Sequence, residues 1–197
     1  MNQVLLIAKT EYKRNLASPI SIAFLGIFLF SAYFVFFNHG RFFARNIADL
    51  RPLFDSLPLL LILVVSALSM RGWAEESQRR QSEHLFSLPV PTHHWVMGRF
   101  YGGMALIATA LAGTFPLVIT AVYCGPLDVG PVLCGYLGAM LLGAAYLALG
   151  LALSASTSHQ MVALVGTAAV GGSLYVIGTE PITSLFNAST VDWLQAI

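Results

Sequence analysis

Charged side chains are scarce in this chain of 197 residues, with only 10 Lys or Arg and 9 Asp or Glu. They form 10% of the sequence, whereas hydrophobic residues form 57%. Because a soluble domain usually carries about 25% charged residues, this composition excludes an ordinary soluble domain. It predicts an all-α integral membrane protein, and the net charge of +1 gives no basic surface of the kind that binds nucleic acid.

Motifs for catalysis and for cofactors are also lacking. The only lysines, Lys9 and Lys13, do not belong to a G-x-x-x-x-G-K-[ST] loop for nucleotide phosphates. No H-E-x-x-H zinc motif and no G-x-S-x-G nucleophile occurs. We therefore expect a chain that is not an enzyme and that holds no cofactor or metal of its own. Cys124 and Cys134 flank a predicted turn, where a bridge is sterically conceivable but inert thiols are the commoner outcome.

Long apolar runs are what the sequence has instead. A membrane-spanning helix needs about 20 apolar residues, and five runs meet or approach that length. They are Pro19–Phe37, Pro52–Arg71, Phe100–Tyr123, Pro131–Ser154 and Gln160–Gly178. The third contains Pro116, which membrane helices tolerate when neighbouring groups hydrogen-bond to the carbonyl that it frees.

The basic residues predict the orientation of these spans. With the N-terminus in the cytoplasm, seven basic residues lie inside: Lys9, Lys13, Arg14, Arg71, Arg79, Arg80 and Arg99. Only Arg41, Arg45 and Arg51 then lie outside. The positive-inside rule favours this arrangement, and we expect a multi-pass protein of the bacterial plasma (inner) membrane. Residues 179–197 then form an extracytoplasmic tail after a transmembrane domain at 19–178.

Residues 1–18 have helical spacing of apolar side chains ahead of the first span. Val4, Leu5, Ala8, Tyr12 and Leu16 recur at that spacing, with basic residues between them. This pattern predicts an interfacial amphipathic helix, with Tyr12, Lys13 and Arg14 as its candidate functional residues. A frayed tail is the alternative.

A charged segment at about 73–88 separates the second and third runs. Glu75 and Glu76 precede Arg79 and Arg80 by four residues, which supports an exposed helix. Trp73, Leu85 and Phe86 give it an apolar side, and prolines end it. We predict a docking helix for a soluble partner, the alternative being a solvated loop. Its candidate contact residues are Trp73, Glu75, Glu76, Arg79, Arg80, Glu83, Leu85 and Phe86.

Small residues recur every four positions in the fourth run, at Gly135, Ala139 and Gly143. This period allows helices to approach closely. The sequence leaves open whether they face a second copy or pack within the chain.

Two blocks of residues resemble the ABC-2 type permeases, most closely the gliding-motility (GldF-like) branch. The first block has S-M-R at 69–71, A-E-E at 74–76, L-P-V at 88–90 and G-R-F at 98–100. The second has G-P-L-D at 125–128, G-Y-L-G at 135–138 and S-A-S-T-S-H-Q-M-V-A at 154–163. The chain departs from the pattern at Arg80-Gln81, where the family usually has Gly-Thr, and at Arg99, where it has Lys.

The resemblance implies the fold and role of an ABC-2 (type V) permease. Such a protein has six spans, so it implies a further span after residue 197 beside the five visible ones. It also implies a separate ATPase subunit that binds ATP and Mg²⁺ and docks on a coupling helix at about 73–88. Glu76 and Glu83 would make polar contacts to that subunit, and a second permease copy or a related permease would complete the transporter.

The residues leave other roles open. A non-transport membrane scaffold would use the same charged segment to anchor a cytoplasmic partner without nucleotide. A membrane enzyme would need the catalytic groups that the chain lacks. The spans offer few polar side chains to a substrate, so the sequence does not identify a cargo. It also leaves open whether the protein exports a cargo or transmits force.

Overall fold

The structure is a computed structural model that describes residues 2–39, 49–71, 91–125 and 127–178. Within these ranges the chain is helical and contains no strand. The α-helices are α1 (Asn2–Leu16), α2 (Pro19–Phe34), α3 (Arg51–Met70), α4 (Thr92–Ala112), α5 (Phe115–Cys124), α6 (Val129–Ala155) and α7 (Gln160–Ile177). A π-helical turn, Val35–His39, continues α2.

Among the described residues, five helical stretches are long and apolar enough to cross a bilayer, as the apolar runs predict. They are Pro19–Asn38, Arg51–Met70, Thr92–Cys124, Val129–Ala155 and Gln160–Ile177. The third stretch begins at Thr92, two turns before its apolar run begins at Phe100. Its 33 residues extend for about 50 Å, which exceeds a hydrocarbon core of about 30 Å. The first turns of α4 therefore project from one end of the bundle.

Helix α3 is the centre of the bundle and packs against α2, α6 and α7. In α3, 61% of the most apolar stretch is buried, whereas 17% of the corresponding stretch is buried in the last span. The larger apolar core surrounds it at Leu61, Val65, Ile107 and Leu147. A smaller core lies nearer the start of α3, at Leu53.

The small residues of α6 pack within the chain. A Cβ added at Gly135 would lie 2.6 Å from the ring of Phe54, and one added at Gly143 would lie 3.1 Å from Ile107. Ala139 is buried between them. Of the two readings left open by the sequence, intrachain packing is therefore the one that the structure supports. Cys124 and Cys134 are both free thiols.

The third span is broken at Gly113–Thr114, where α4 ends and α5 begins. The amide of Leu117 bonds the carbonyl of Thr114 at 3.0 Å, three residues back instead of four. The Tyr33 hydroxyl donates to the Gly113 carbonyl at 3.2 Å, and Thr114 Oγ1 lies 2.9 Å from the Tyr136 hydroxyl. The Tyr33 hydroxyl thus satisfies one backbone carbonyl at the break, and the Tyr136 hydroxyl contacts the Thr114 side chain.

Helix α1 packs lengthwise on α4, from the projecting turns as far as Thr109. An added Cβ at Gly98 would collide with Ile7, and one at Gly102 would lie 2.7 Å from the Glu11 Cβ and 3.0 Å from the Ala8 carbonyl oxygen. Gly98 contacts Ile7, and the later residue Gly102 contacts the later residue Glu11, so the two helices run in the same direction. Two glycines of α4 therefore permit the close approach of α1.

The face of α1 that packs most deeply on the bundle differs from the apolar face predicted by the sequence. Leu5 and Leu16 are exposed, whereas Ile7, Glu11 and Asn15 are buried against the bundle. The buried face includes a carboxylate and an amide. A pattern based on the spacing of apolar residues places such polar groups on the face that is not buried.

We expect Gly102→Ala to destabilise the protein, because the added methyl meets backbone as well as side-chain atoms of α1. Overpacking of this kind costs about 1–3 kcal/mol. Gly138→Ala is the matched control, since a Cβ there has nothing within 4 Å. The free energy of unfolding in detergent is measured for both variants. Equal stability of the two would show that α1 does not depend on the close approach at Gly102.

Candidate functional site

A buried carboxylate, Glu11, lies at the contact between α1 and α4. The residue is 8% exposed, and Gly102 leaves room for it beside α4. A carboxylate in such a place requires cationic or hydrogen-bonding partners, because desolvation strongly disfavours an isolated charge. Its partners define the candidate site.

Two arginines lie next to the Glu11 carboxylate. Arg14 Nη2 is 2.7 Å from Oε2, and Arg99 Nε is 3.5 Å from Oε1. Arg99 comes from α4 and is itself only 4% exposed. Glu11 therefore links α1 to α4 by a buried ion pair and to its own last turn by a second, partly exposed one.

Arg14 extends the site to α3. Its Nη2 also donates to the carbonyl of Arg71 at 3.4 Å, just beyond the last residue of that helix. The last carbonyls of a helix have no intrahelical partner, and a cation nearby is favourable. Side chains of Glu11, Arg14, Asn15, Arg71 and Arg99 line one small cavity of about 20 Å³, which is large enough for about one water molecule. We call Glu11, Arg14, Arg71 and Arg99 the charge cluster.

A hydroxyl network lies beside the charge cluster and ties α3 to α7. Thr167 Oγ1 donates to Ser69 Oγ at 2.8 Å, and Ser69 lies 3.4 Å from the Ala163 carbonyl. Gly150 of α6 approaches the same pair, with 3.1 Å from its added Cβ to each side chain. The end of α3 is thus held on two sides, by the charge cluster and by this network.

Residues 72–90 connect α3 to α4, and the charge cluster includes residues at the end of α3 and in α4. Arg71 is the last described residue before that segment, and Pro91 is the first after it. Arg99 follows Pro91 by about two helical turns. Both ends of the segment are therefore joined to helices that the charge cluster holds together.

The predicted site residues fall into two groups. Arg14 belongs to the charge cluster, the Tyr12 hydroxyl lies 3.0 Å from Thr109 Oγ1, and Lys13 is exposed. All eight predicted docking residues lie outside the described residues, and their role stays a prediction. They are Trp73, Glu75, Glu76, Arg79, Arg80, Glu83, Leu85 and Phe86.

The positive-inside rule assigns basic residues to two sides of the membrane, and the structure places the described ones at two different ends of the bundle. Arg14, Arg71 and Arg99 lie at one end of the bundle, and Arg51 lies at the other end of α3. Arg99 falls inside α4 and is buried. Arg99 lies one residue before the apolar run Phe100–Tyr123, so the helix extends beyond that run and includes this charge.

Sequence reasoning missed Glu11, the residue on which the cluster depends. Its signal was the i, i+4, i+8 series Ile7, Glu11 and Asn15, which places one acidic and one amide side chain on the face that contacts α4. Pairing with Arg99 joins positions far apart in the chain, so the sequence alone does not reveal it.

Comparisons with known proteins identify no relative. No family model matches the chain, and neither curated proteins nor solved structures give a match. Any function assigned to it rests on its own residues and geometry.

We expect Glu11→Gln and Arg99→Met each to destabilise the protein, because each leaves part of a buried pair uncompensated. Loss of one partner of a buried ion pair typically costs about 3–5 kcal/mol. The double variant should lose less than the sum of the two, since neither charge then remains without the other. The free energies of unfolding of the parent, the two single variants and the double variant, measured in mixed micelles, give a double-mutant cycle.

Arg51→Met is the control for loss of a positive charge at an exposed position on the other end of α3. Its stability should match that of the parent. Strictly additive losses for Glu11→Gln and Arg99→Met would show that the two side chains do not interact.

Proposed function

We propose that the chain is the membrane subunit of an ATP-driven transporter of the ABC-2 permease type. In this role it couples ATP hydrolysis by a separate cytoplasmic ATPase to export or to mechanical transmission across the membrane. The proposal draws on the two blocks of family-like residues and on five helices apolar enough to cross a bilayer. The charge cluster is the observation that carries the mechanism.

A push on the segment 72–90 would reach three helices at once. The segment is joined covalently to Arg71 and to Pro91. The Arg71 carbonyl accepts a hydrogen bond from Arg14 of α1. Arg99 of α4 pairs with Glu11, which also belongs to α1. Movement of either end therefore acts on α1, α3 and α4 together, which is the requirement for coupling a soluble partner to membrane helices.

The broken third span would limit how far such a movement spreads. Interfaces and packed helices pass on discrete shifts, and breaks absorb changes in backbone dihedrals. The break at Gly113–Thr114 separates α4, which carries Arg99, from α5. In this mechanism α4 moves with α1 and the end of α3, while α5 stays with the smaller apolar core at the opposite end.

The test is recovery of the partner with the tagged full chain from its native membrane in mild detergent. We expect an ATP-binding cassette ATPase to copurify and to hydrolyse ATP. Glu83→Lys should abolish its recovery, because it reverses a charge in the predicted docking helix without changing the described bundle. Mass spectrometry and an ATPase assay give the readout.

Asp128→Lys is the matched control, since it makes the same charge reversal at an exposed position at the opposite end of the bundle. It should retain the ATPase. A partner without nucleotide-binding motifs, recovered through the same segment, would favour the membrane scaffold instead. A stably folded chain that binds no ATPase in several mild detergents would refute the transporter proposal.

A further inference from the structure

The Gly113 carbonyl, at the break in the third span, has two donors within reach. In a regular helix it would accept a hydrogen bond from the backbone N–H of Leu117, four residues later. In the structure that N–H donates to the Thr114 carbonyl at 3.0 Å, and the Tyr33 hydroxyl donates to Gly113 at 3.2 Å. A side chain of α2 therefore replaces a donor that belongs to the third span itself.

The proline beside the break does not account for this replacement. Pro116 has no N–H, so it removes the bond that the Ala112 carbonyl would accept, and its ring crowds that carbonyl. The next bond, from the Leu117 N–H to the Gly113 carbonyl, is still open to a helix that is kinked by proline. A continuous, kinked third span is therefore an alternative to the broken one.

The other polar contact at the break offers no such alternative. Thr114 is fully buried, and its hydroxyl donates to the Leu111 carbonyl at 2.7 Å. Because a hydroxyl has one proton to donate, the Tyr136 hydroxyl, 2.9 Å away, is the donor to Thr114. The ring of Tyr136 packs edge-on against Phe54, with 5.5 Å between the centroids. Of the two tyrosines at the break, only Tyr33 has a partner with another donor.

The position of α2 determines whether the Tyr33 hydroxyl reaches the break. Its contact with Gly113 is 3.2 Å long, and a side-chain hydrogen bond is lost at about 3.6 Å. A small displacement of α2 is therefore enough to release the carbonyl. Only Ala17 and Ser18 separate α2 from α1, so a shift of α1 along α4 would also move α2.

We propose that the third span switches between a broken form, in which the Tyr33 hydroxyl holds the Gly113 carbonyl, and a continuous form, in which the Leu117 N–H takes it. The carbonyl has a donor in both forms, which an apolar surrounding requires. The buried face of α5, formed by Leu117, Val118 and Ala121, belongs to the smaller core. The exchange therefore changes the angle between α4 and α5. It is a property of the bundle and does not rest on a partner ATPase.

The test measures the distance between spin labels at the two ends of the third span, in the full chain in mixed micelles. Val96→Cys and Tyr123→Cys place the labels at exposed positions, and Cys124→Ser with Cys134→Ser removes the native thiols. Loss of the break lengthens the distance between the labels. We expect Tyr33→Phe to raise the ratio of the longer to the shorter distance about fivefold, the usual effect of one hydrogen bond on an equilibrium.

Two further variants show whether the hydroxyl of Tyr33 is responsible. Tyr101→Phe is the matched control, because it removes the same group from an exposed position of the same span. It should leave the distances unchanged. Pro116→Ala should shift them in the same direction as Tyr33→Phe, because it supplies the N–H for the Ala112 carbonyl.

A folded Tyr33→Phe variant that keeps the distances of the parent would overturn the switch. This holds even if Pro116→Ala lengthens them, because the break would then depend on the proline alone. An equal shift in Tyr101→Phe, or a shorter distance in Tyr33→Phe, would also refute it. Circular dichroism of each variant confirms that the helices are intact.

Discussion

Arg99 brings a positive charge into a helix that is otherwise apolar, and Glu11 supplies the opposite charge from α1. In a buried setting a guanidinium is tolerated when a carboxylate lies close to it. The 3.5 Å contact between them fixes the register of α1 on α4, with Gly98 and Gly102 allowing the backbones to approach. The packing of Ile7 at Gly98 and the contact of the Tyr12 hydroxyl with Thr109 add to this pair.

The same pair belongs to a set of contacts that joins four helices at one end of the bundle. Arg14 joins Glu11 to the end of α3, and Ser69 joins that end to Thr167 of α7. At the opposite end, Tyr33 and Tyr136 satisfy polar groups at the break between α4 and α5. The bundle thus has one end in which charges connect the helices and another in which hydroxyls stabilise a discontinuity. Residues 72–90 are joined to α3 and α4 at the first end.

The spans could be predicted from sequence because a bilayer demands long apolar runs whatever the tertiary packing. The prediction Pro52–Arg71 differs from α3 by one residue at each end. The start of the third span could not be found this way, since Thr92–Arg99 is held as helix by α1 and not by lipid. Likewise, the roles of Glu11, Tyr33 and Tyr136 depend on partners far along the chain. The docking role of residues 73–88 is still a prediction from pattern alone.

Helix α1 has two faces with different kinds of partner, and this explains its composition. The face with Ile7, Glu11 and Asn15 is committed to α4, whereas Leu5, Leu6 and the lysines face outward. Arg14, on the same helix as Glu11, also donates to the carbonyl at the end of α3. The helix therefore contacts both helices that residues 72–90 connect. A rearrangement of α1 on α4 would have to break or re-form the ion pair between Glu11 and Arg99, because that pair joins the two helices.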